Sequence, residues 1–284
     1  MNLQWELTPE KQREIAAFAR RMRLDMLEMM KNAGANGAHI GGAFSAAEIL
    51  AVLYCGILKV SPQNPLQPTR DRFILSKGHT ALALYSALYE AGFLSREELM
   101  GFEENAGHFS THCCKYQEKG IELSSGSLGL GLGYGAGCAL AAKRDGLDYD
   151  CVVLLGDGEC NEGSVWEAVQ FAAKYRLDNL VAVVDFNHQS LDGFTVDTMP
   201  VANFAEVFAG FGWNVVKING NCIPEVVDAF LGVQRNGKPT AIIADTLKGK
   251  GVSFMENQVG WHHAVIAPQQ YEAAKAELEV ADGV

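Results

Sequence analysis

Two apolar runs with the same kind of ending constrain this chain more than anything else in it. The first, Cys151-Val152-Val153-Leu154-Leu155, runs into Gly156-Asp157-Gly158-Glu159-Cys160-Asn161-Glu162-Gly163, and the second, Val183-Val184, ends in Asp185-Phe186-Asn187. Short runs rich in Val and Leu read as strands buried in a parallel sheet. Between them, Ser164 to Tyr175 carries Val165, Trp166, Val169, Phe171 and Ala172 at helical spacing, so the unit is βαβ. A right-handed crossover then brings Asp157 and Asn187 to the same edge of the sheet, beyond the carboxyl ends of two strands.

A carboxylate and a side-chain amide at such an edge are two hard oxygen ligands. Mg²⁺ suits them, with phosphate and water filling the rest of its octahedron. The glycines flanking Asp157 let backbone approach a ligand, and the N-terminus of the following helix points the same way. A metal-bridged diphosphate is the natural guest. The plain alternative is an Asp-Gly turn whose Asp merely caps a helix. The second strand, ending in Asn187 at matching spacing, favours the site.

The rest of the chain supports one α/β fold, a mostly parallel sheet with helices on both faces. Thr8 to about Asn32, with Pro9 in the first turn, predicts a long helix closed by Gly34. Ser45-Ala46-Ala47-Glu48 and Ser95-Arg96-Glu97-Glu98 both match capping boxes. Thr80 to Ala91 reads as a buried helix stopped by Gly92. Strand signals at Trp213–Ile218 and Thr240–Thr246 flank a helix with Pro224 in its first turn, and a last helix spans Ala267 to about Leu278. Gly126 to Lys143 is apolar but dense in glycine, which suits a helix only where those glycines meet a close neighbour or ligand. No linker, repeat or charge block divides the 284 residues, so a single domain over 1–284 is expected. The formal charge of −11 makes nucleic acid and anionic membranes poor partners. The basic run Arg20-Arg21-Met22-Arg23 reads as a solvated helix face. Seven cysteines, several in apolar runs (Cys55, Cys138, Cys151), and a polar start without a signal core predict reduced thiols in the cytoplasm.

Gly-Asp-Gly followed by 28 residues and then Asn resembles the thiamine diphosphate motif, and the wider text from Gly156 to Ala168 resembles the amino-terminal domain of transketolases. Ala38-His39-Ile40-Gly41-Gly42, Asp71 to His79, Gly107-His108 and Ser125-Gly126-Ser127-Leu128-Gly129 resemble further segments of that family, in the right order. The resemblance covers roughly residues 10 to 265. It implies thiamine diphosphate and Mg²⁺ as cofactors, and transfer of a two-carbon ketol unit from a ketose (phosphate) to an aldose (phosphate).

The site follows residue by residue from the same resemblance. Asp157, Asn187 and the backbone carbonyl of Gln189 would hold Mg²⁺. His79, Gly126, Ser127, Leu128, Gly158, Glu159 and Asn187 would line the cofactor. His39, His108, Glu162 and one of His262 and His263 would serve catalysis, with His108 at the donor's terminal hydroxyls. Trp261 anchors the register in favour of His262. This chain reads Ile40 and Phe109 where the family has proline, Ser127 for a proline and Leu130 for a glutamine.

Single-chain transketolases carry two further domains, so the resemblance implies a carboxy-terminal partner subunit with a pyrimidine-binding domain, in an α₂β₂ assembly. Other readings weigh less. A zinc site at His108-Phe109-Ser110-Thr111-His112-Cys113-Cys114 lacks Cys-x-x-Cys spacing. A dinucleotide loop at Gly131-Leu132-Gly133-Tyr134-Gly135-Ala136 lacks a leading strand. The α chain of a 2-oxo-acid dehydrogenase and a non-catalytic cofactor-domain protein are the functional alternatives. The segment Cys113 to Lys119, an insertion relative to the family, is expected to shape the substrate entrance.

Overall fold

Strands β1 (Arg72–Leu75), β2 (Cys151–Gly156), β3 (Leu180–Phe186), β4 (Asn214–Asn219) and β5 (Thr240–Asp245) lie parallel in the order β1-β2-β3-β5-β4. The computed structural model describes residues 1–2, 5–105, 107–199 and 203–280. β2 is buried along its whole length and β3 up to its last residue, as continuous apolar runs require.

Helices α1 (Pro9–Asn32), α2 (Gly41–Ser45), α3 (Ala47–Val52), α4 (Ala81–Glu90) and α5 (Arg96–Met100) come from the amino-terminal part. They are followed by α6 (Gly131–Asp145), α7 (Gly163–Lys174), α8 (Thr195–Thr198), α9 (Phe204–Gly210), α10 (Ile223–Leu231) and α11 (Pro268–Val280). Side chains of α1, α3, α4, α10 and α11 share one core with Val152, Leu154, Val181 and Val183. Those of α6, α7 and α9 share a second core with Val153, Leu155, Ala182 and Val184. Alternate strand residues thus feed opposite faces, and helices cover both.

Local signals hold at most element ends. Thr8 caps α1 by accepting the Lys11 N–H, and Ser95 with Glu98 forms the full capping box of α5. The second expected box does not form. Ser45 closes α2 instead and turns its hydroxyl to Asp185 and the Gly42 carbonyl, while Glu48 pairs with Arg23. Nor is the basic run of α1 a solvated face, because Arg23 is buried and holds Glu48 through both guanidinium ends. Among the described residues no helix is long and apolar enough to cross a membrane.

Candidate active site

Pairing of β2 with β3 sets Gly156 opposite Asp185, so Asp157 and Asn187 leave the sheet at one edge, as the crossover argument requires. Asp157 is buried. Its Oδ1 accepts the Gly158 N–H at 2.9 Å, while its Oδ2 is buried without any hydrogen-bond partner among the described residues. Burial and the neighbouring Asp185 push this carboxyl up to about 6, against the Gly158 N–H, Lys77 and the His188 N–H. Asn187 Oδ1 accepts the Gln189 N–H at 3.2 Å, and the Gln189 carbonyl accepts from Lys248 Nζ at 3.3 Å. A buried carboxylate oxygen without a donor calls for a cation. Asn187 and Gln189 leave the sheet at the same edge, and a carboxylate, an amide oxygen and a carbonyl are the donor types that fit a hard divalent ion such as Mg²⁺. At Gly158 a Cβ would come within 3.2 Å of the Ser190 side chain, so only glycine leaves the backbone open here.

Two buried lysines that sequence reasoning passed over lie beneath this edge. Lys77 pairs with Asp185 and donates to the Gly42 carbonyl at 2.9 Å. Burial alone would raise the Asp185 carboxyl, but the charge of Lys77 and the hydrogen bonds from Lys77, Thr246 and Ser45 outweigh it and hold the carboxyl below its usual range. Lys248 is lowered to about 8 by burial and by Lys77, against Asp157 and Asp185. Its Nζ lies 2.8 Å from His262 Nδ1. An ammonium only donates, so Nδ1 accepts and the ring proton sits on Nε2. Lys77 is neutralised by Asp185, so Lys248 is the cation of the two that can face an anion.

Five imidazoles gather in front of the lysines. Ring centroids lie 4.5 Å apart for His39–His263, 5.3 Å for His39–His79, 5.5 Å for His39–His262 and 5.9 Å for His39–His112. His79 and His262 stack at 5.3 Å, nearly parallel. Burial, then His263, His112 and Lys248, lowers His39 to about 4. Burial, then Lys248 and His39, lowers His262 to about 3, and burial with Lys77 drives His79 well below its usual value. These three rings are neutral near pH 7, and each then has one nitrogen to donate and one to accept. His262 is the half-buried member of its pair, tied to Lys248, while His263 is exposed.

His108 does not join them. It is exposed, with its ring against Tyr116, and His112 takes the place in the cluster instead. Gly126, at φ +153, lies against the His112 ring, where a Cβ would come within 3.3 Å. The loop Gly126–Leu128 therefore passes the cluster, with Ser127 exposed and Leu128 half-buried. Glu159, expected at the cofactor, braces the surrounding backbone. It is buried, and its two oxygens accept from Ser76 Oγ and the Gly129 and Gly156 N–H groups. Glu162 is exposed at the start of α7, outside the histidine cluster.

The zinc and dinucleotide readings find no supporting geometry among the described residues. His188 pairs with Asp245 at 3.1 Å and packs on Phe186. Cys113 Sγ meets Ser125 Oγ, and among the described residues no group of three or more His, Cys, Asp or Glu could hold a metal. The glycine string opens α6 without a leading strand. A cavity of about 1070 Å³ lies past the ends of β3, β4 and β5, and its lining includes Asn187 but none of the five clustered histidines.

A family model described as the thiamine diphosphate binding domain of transketolase matches residues 12–282. The chain belongs to the transketolase family. Among its relatives in that family, a subunit of the apulose-4-phosphate transketolase of Phocaeicola vulgatus is 42% identical over 245 residues, covering 86% of this chain and 87% of that one. The 6-deoxy-6-sulfo-D-fructose transketolase subunit SqwG of a Clostridium species is 39% identical over 242 residues, 85% of this chain and 88% of its own. Human transketolase is 38% identical over 86% of this chain, which spans only 38% of the human protein. The crystal structure of Campylobacter jejuni transketolase superposes with a TM-score of 0.86 at 30% identity, over 96% of this chain and 43% of that one. A longer transketolase thus shares this fold, and this chain matches most of the length of the relatives named as subunits.

Proposed function

We propose that this chain is the amino-terminal, cofactor-anchoring subunit of a two-chain transketolase. It moves a two-carbon ketol unit from a ketose (phosphate) donor to an aldose (phosphate) acceptor, with thiamine diphosphate and Mg²⁺. One observation carries the reading: a buried oxygen of Asp157 lacks a partner among the described residues at the edge where β2 and β3 end, and Lys248 joins the Gln189 carbonyl of that edge to His262 of the histidine cluster. The lengths and names of the subunit relatives support it.

Asp157, Asn187 and the Gln189 carbonyl would hold the cation, and the Gly158 backbone with Lys248 would face the diphosphate. When bound, thiamine diphosphate supplies the nucleophilic carbon that no side chain here can offer. The protein supplies orientation and proton handling. His262, protonated at Nε2 and accepting at Nδ1, can donate a proton or a hydrogen bond to a sugar oxygen. Neutral His39 and His79 can each give a proton from one nitrogen or take it at the other. His112, inside the cluster, would hold the donor's terminal hydroxyls in place of His108, and the exposed His263 would face the incoming sugar. His39, His79 and His262 converge from three chain segments, which suits a substrate with hydroxyls on successive carbons.

The remaining pocket wall, with the pyrimidine-binding domain, belongs to a carboxy-terminal subunit. Twofold pairing of two such heterodimers gives α₂β₂ in the cytoplasm. Purified alone, this chain should show no ketol transfer and weak cofactor uptake, and the partner subunit should restore both. Sustained two-carbon transfer by the purified chain would overturn the two-chain reading.

A further inference from the structure

Asn187 can serve a cation only with its oxygen. The two ends of a side-chain amide have nearly the same shape, so packing cannot choose between them and hydrogen-bond chemistry must. Here the choice is made from both sides. Asn187 Nδ2 donates to Asp185 Oδ2 at 3.1 Å, and Asn187 Oδ1 accepts the Gln189 N–H at 3.2 Å. The first partner, as a carboxylate, only accepts, and the second only donates.

Asp185 is fully buried at the penultimate residue of β3, and it also receives Ser45 Oγ at 2.7 Å, Lys77 Nζ and Thr246 Oγ1. Those residues come from α2, from the turn before His79 and from the end of β5. One carboxylate thus joins the segments that carry the site. We infer that Asp185 is a positioning residue, which fixes the amide of Asn187 so that its oxygen, and not its NH₂, is offered to the cation. The inference rests on the proposed metal site and adds to it the group that orients a ligand.

The test uses the full chain together with its partner, and Mn²⁺ as the probe, its uptake with thiamine diphosphate read by electron paramagnetic resonance. Asp185→Asn combined with Lys77→Met removes the accept-only partner without stranding a buried lysine. Circular dichroism and a cooperative urea transition report the fold. The folded double variant should bind Mn²⁺ about ten- to hundredfold more weakly, the usual range for loss of a residue supporting a metal ligand. Adding Asn187→Asp should restore most of that loss, because a carboxylate offers oxygen at both ends. A merely structural defect would not be rescued. If the double variant does not fold, Asp185→Asn alone carries the same test, since Asn187 again meets a side chain that both donates and accepts. Equal Mn²⁺ affinity in a folded variant, or no rescue, overturns the inference alone. A wild type that takes up no Mn²⁺ overturns it together with the metal site.

Discussion

His39 sits half-buried among four other imidazoles, and its Nδ1 meets no hydrogen-bond partner. Its pKa falls from the usual 6.5 to about 4, so between those values an unfolded chain binds a proton that the native one refuses. The stability involved is complete above pH 6.5 and is lost as pH falls toward 4. Asp157, raised to about 6, acts in the opposite sense, so a difference must be measured. The urea-unfolding free energy of His39→Gln should fall less steeply between pH 6.5 and 4 than that of wild type. Identical slopes would mean that the native ring is not held neutral. A second comparison separates two histidines. His112→Ala should cost donor turnover about 1–3 kcal/mol in kcat/KM, the effect of removing one polar interaction from a closed site, and should spare cofactor affinity. His108→Ala should change little, and the opposite ranking would return His108 to the site.

Helix α6 shows how glycine can be required on one side and optional on the other. A Cβ at Gly131 would meet Ser76 Oγ at 2.4 Å, and one at Gly135 would meet Val153 at 2.5 Å, whereas Gly133 and Gly137 have nothing within 4 Å. Gly135→Ala should therefore destabilise the chain by about 1–3 kcal/mol through overpacking. Gly133→Ala and Gly137→Ala should each stabilise it by about 0.5–1 kcal/mol through helix propensity. If the partner of the proposed two-chain enzyme packs on this face, the latter two should instead weaken association. Thermal melts of the isolated chain and titration with the partner would decide both points.

The same scale shows what the sequence can tell. β2, α7 and β3 are legible because continuous apolar runs and a helical stripe need no distant partner to be recognised. β1 is not, since Phe73-Ile74-Leu75 is too short to carry a period and becomes a strand by pairing with β2. Ser45 to Glu48 has the spacing of a cap, but Asp185, 140 residues away, takes the hydroxyl. Lys77 and Lys248 read as surface residues until the fold supplies their burial and their partners. His108 stands out in the sequence through its Gly-His dipeptide. The bridge between Tyr116 and Ile121 closes a turn that brings His112, not His108, to Gly126. Counting back from Gly126 rather than forward from Gly107 is the signal that finds it.

For the whole molecule, the sheet separates two cores, and each is closed by helices of this chain alone. Large apolar side chains left at the surface include Leu130, 57% exposed, and Phe171 and Tyr175, 38% and 45% exposed, on α7 and at its end beside the open face of α6. The partner should cover this face, and slower amide exchange in α6 and α7 on assembly would report it. On the two-chain reading, the second subunit contributes part of a pocket rather than missing core, and that difference has a kinetic consequence. A single-chain transketolase keeps its domains together at any dilution, whereas two chains must find each other. Activity per mole of this subunit should fall once the enzyme is diluted below the dissociation constant of the pair. A flexible linker matched to the span would hold the two at an effective concentration on the order of millimolar, and dilution would then leave turnover unchanged.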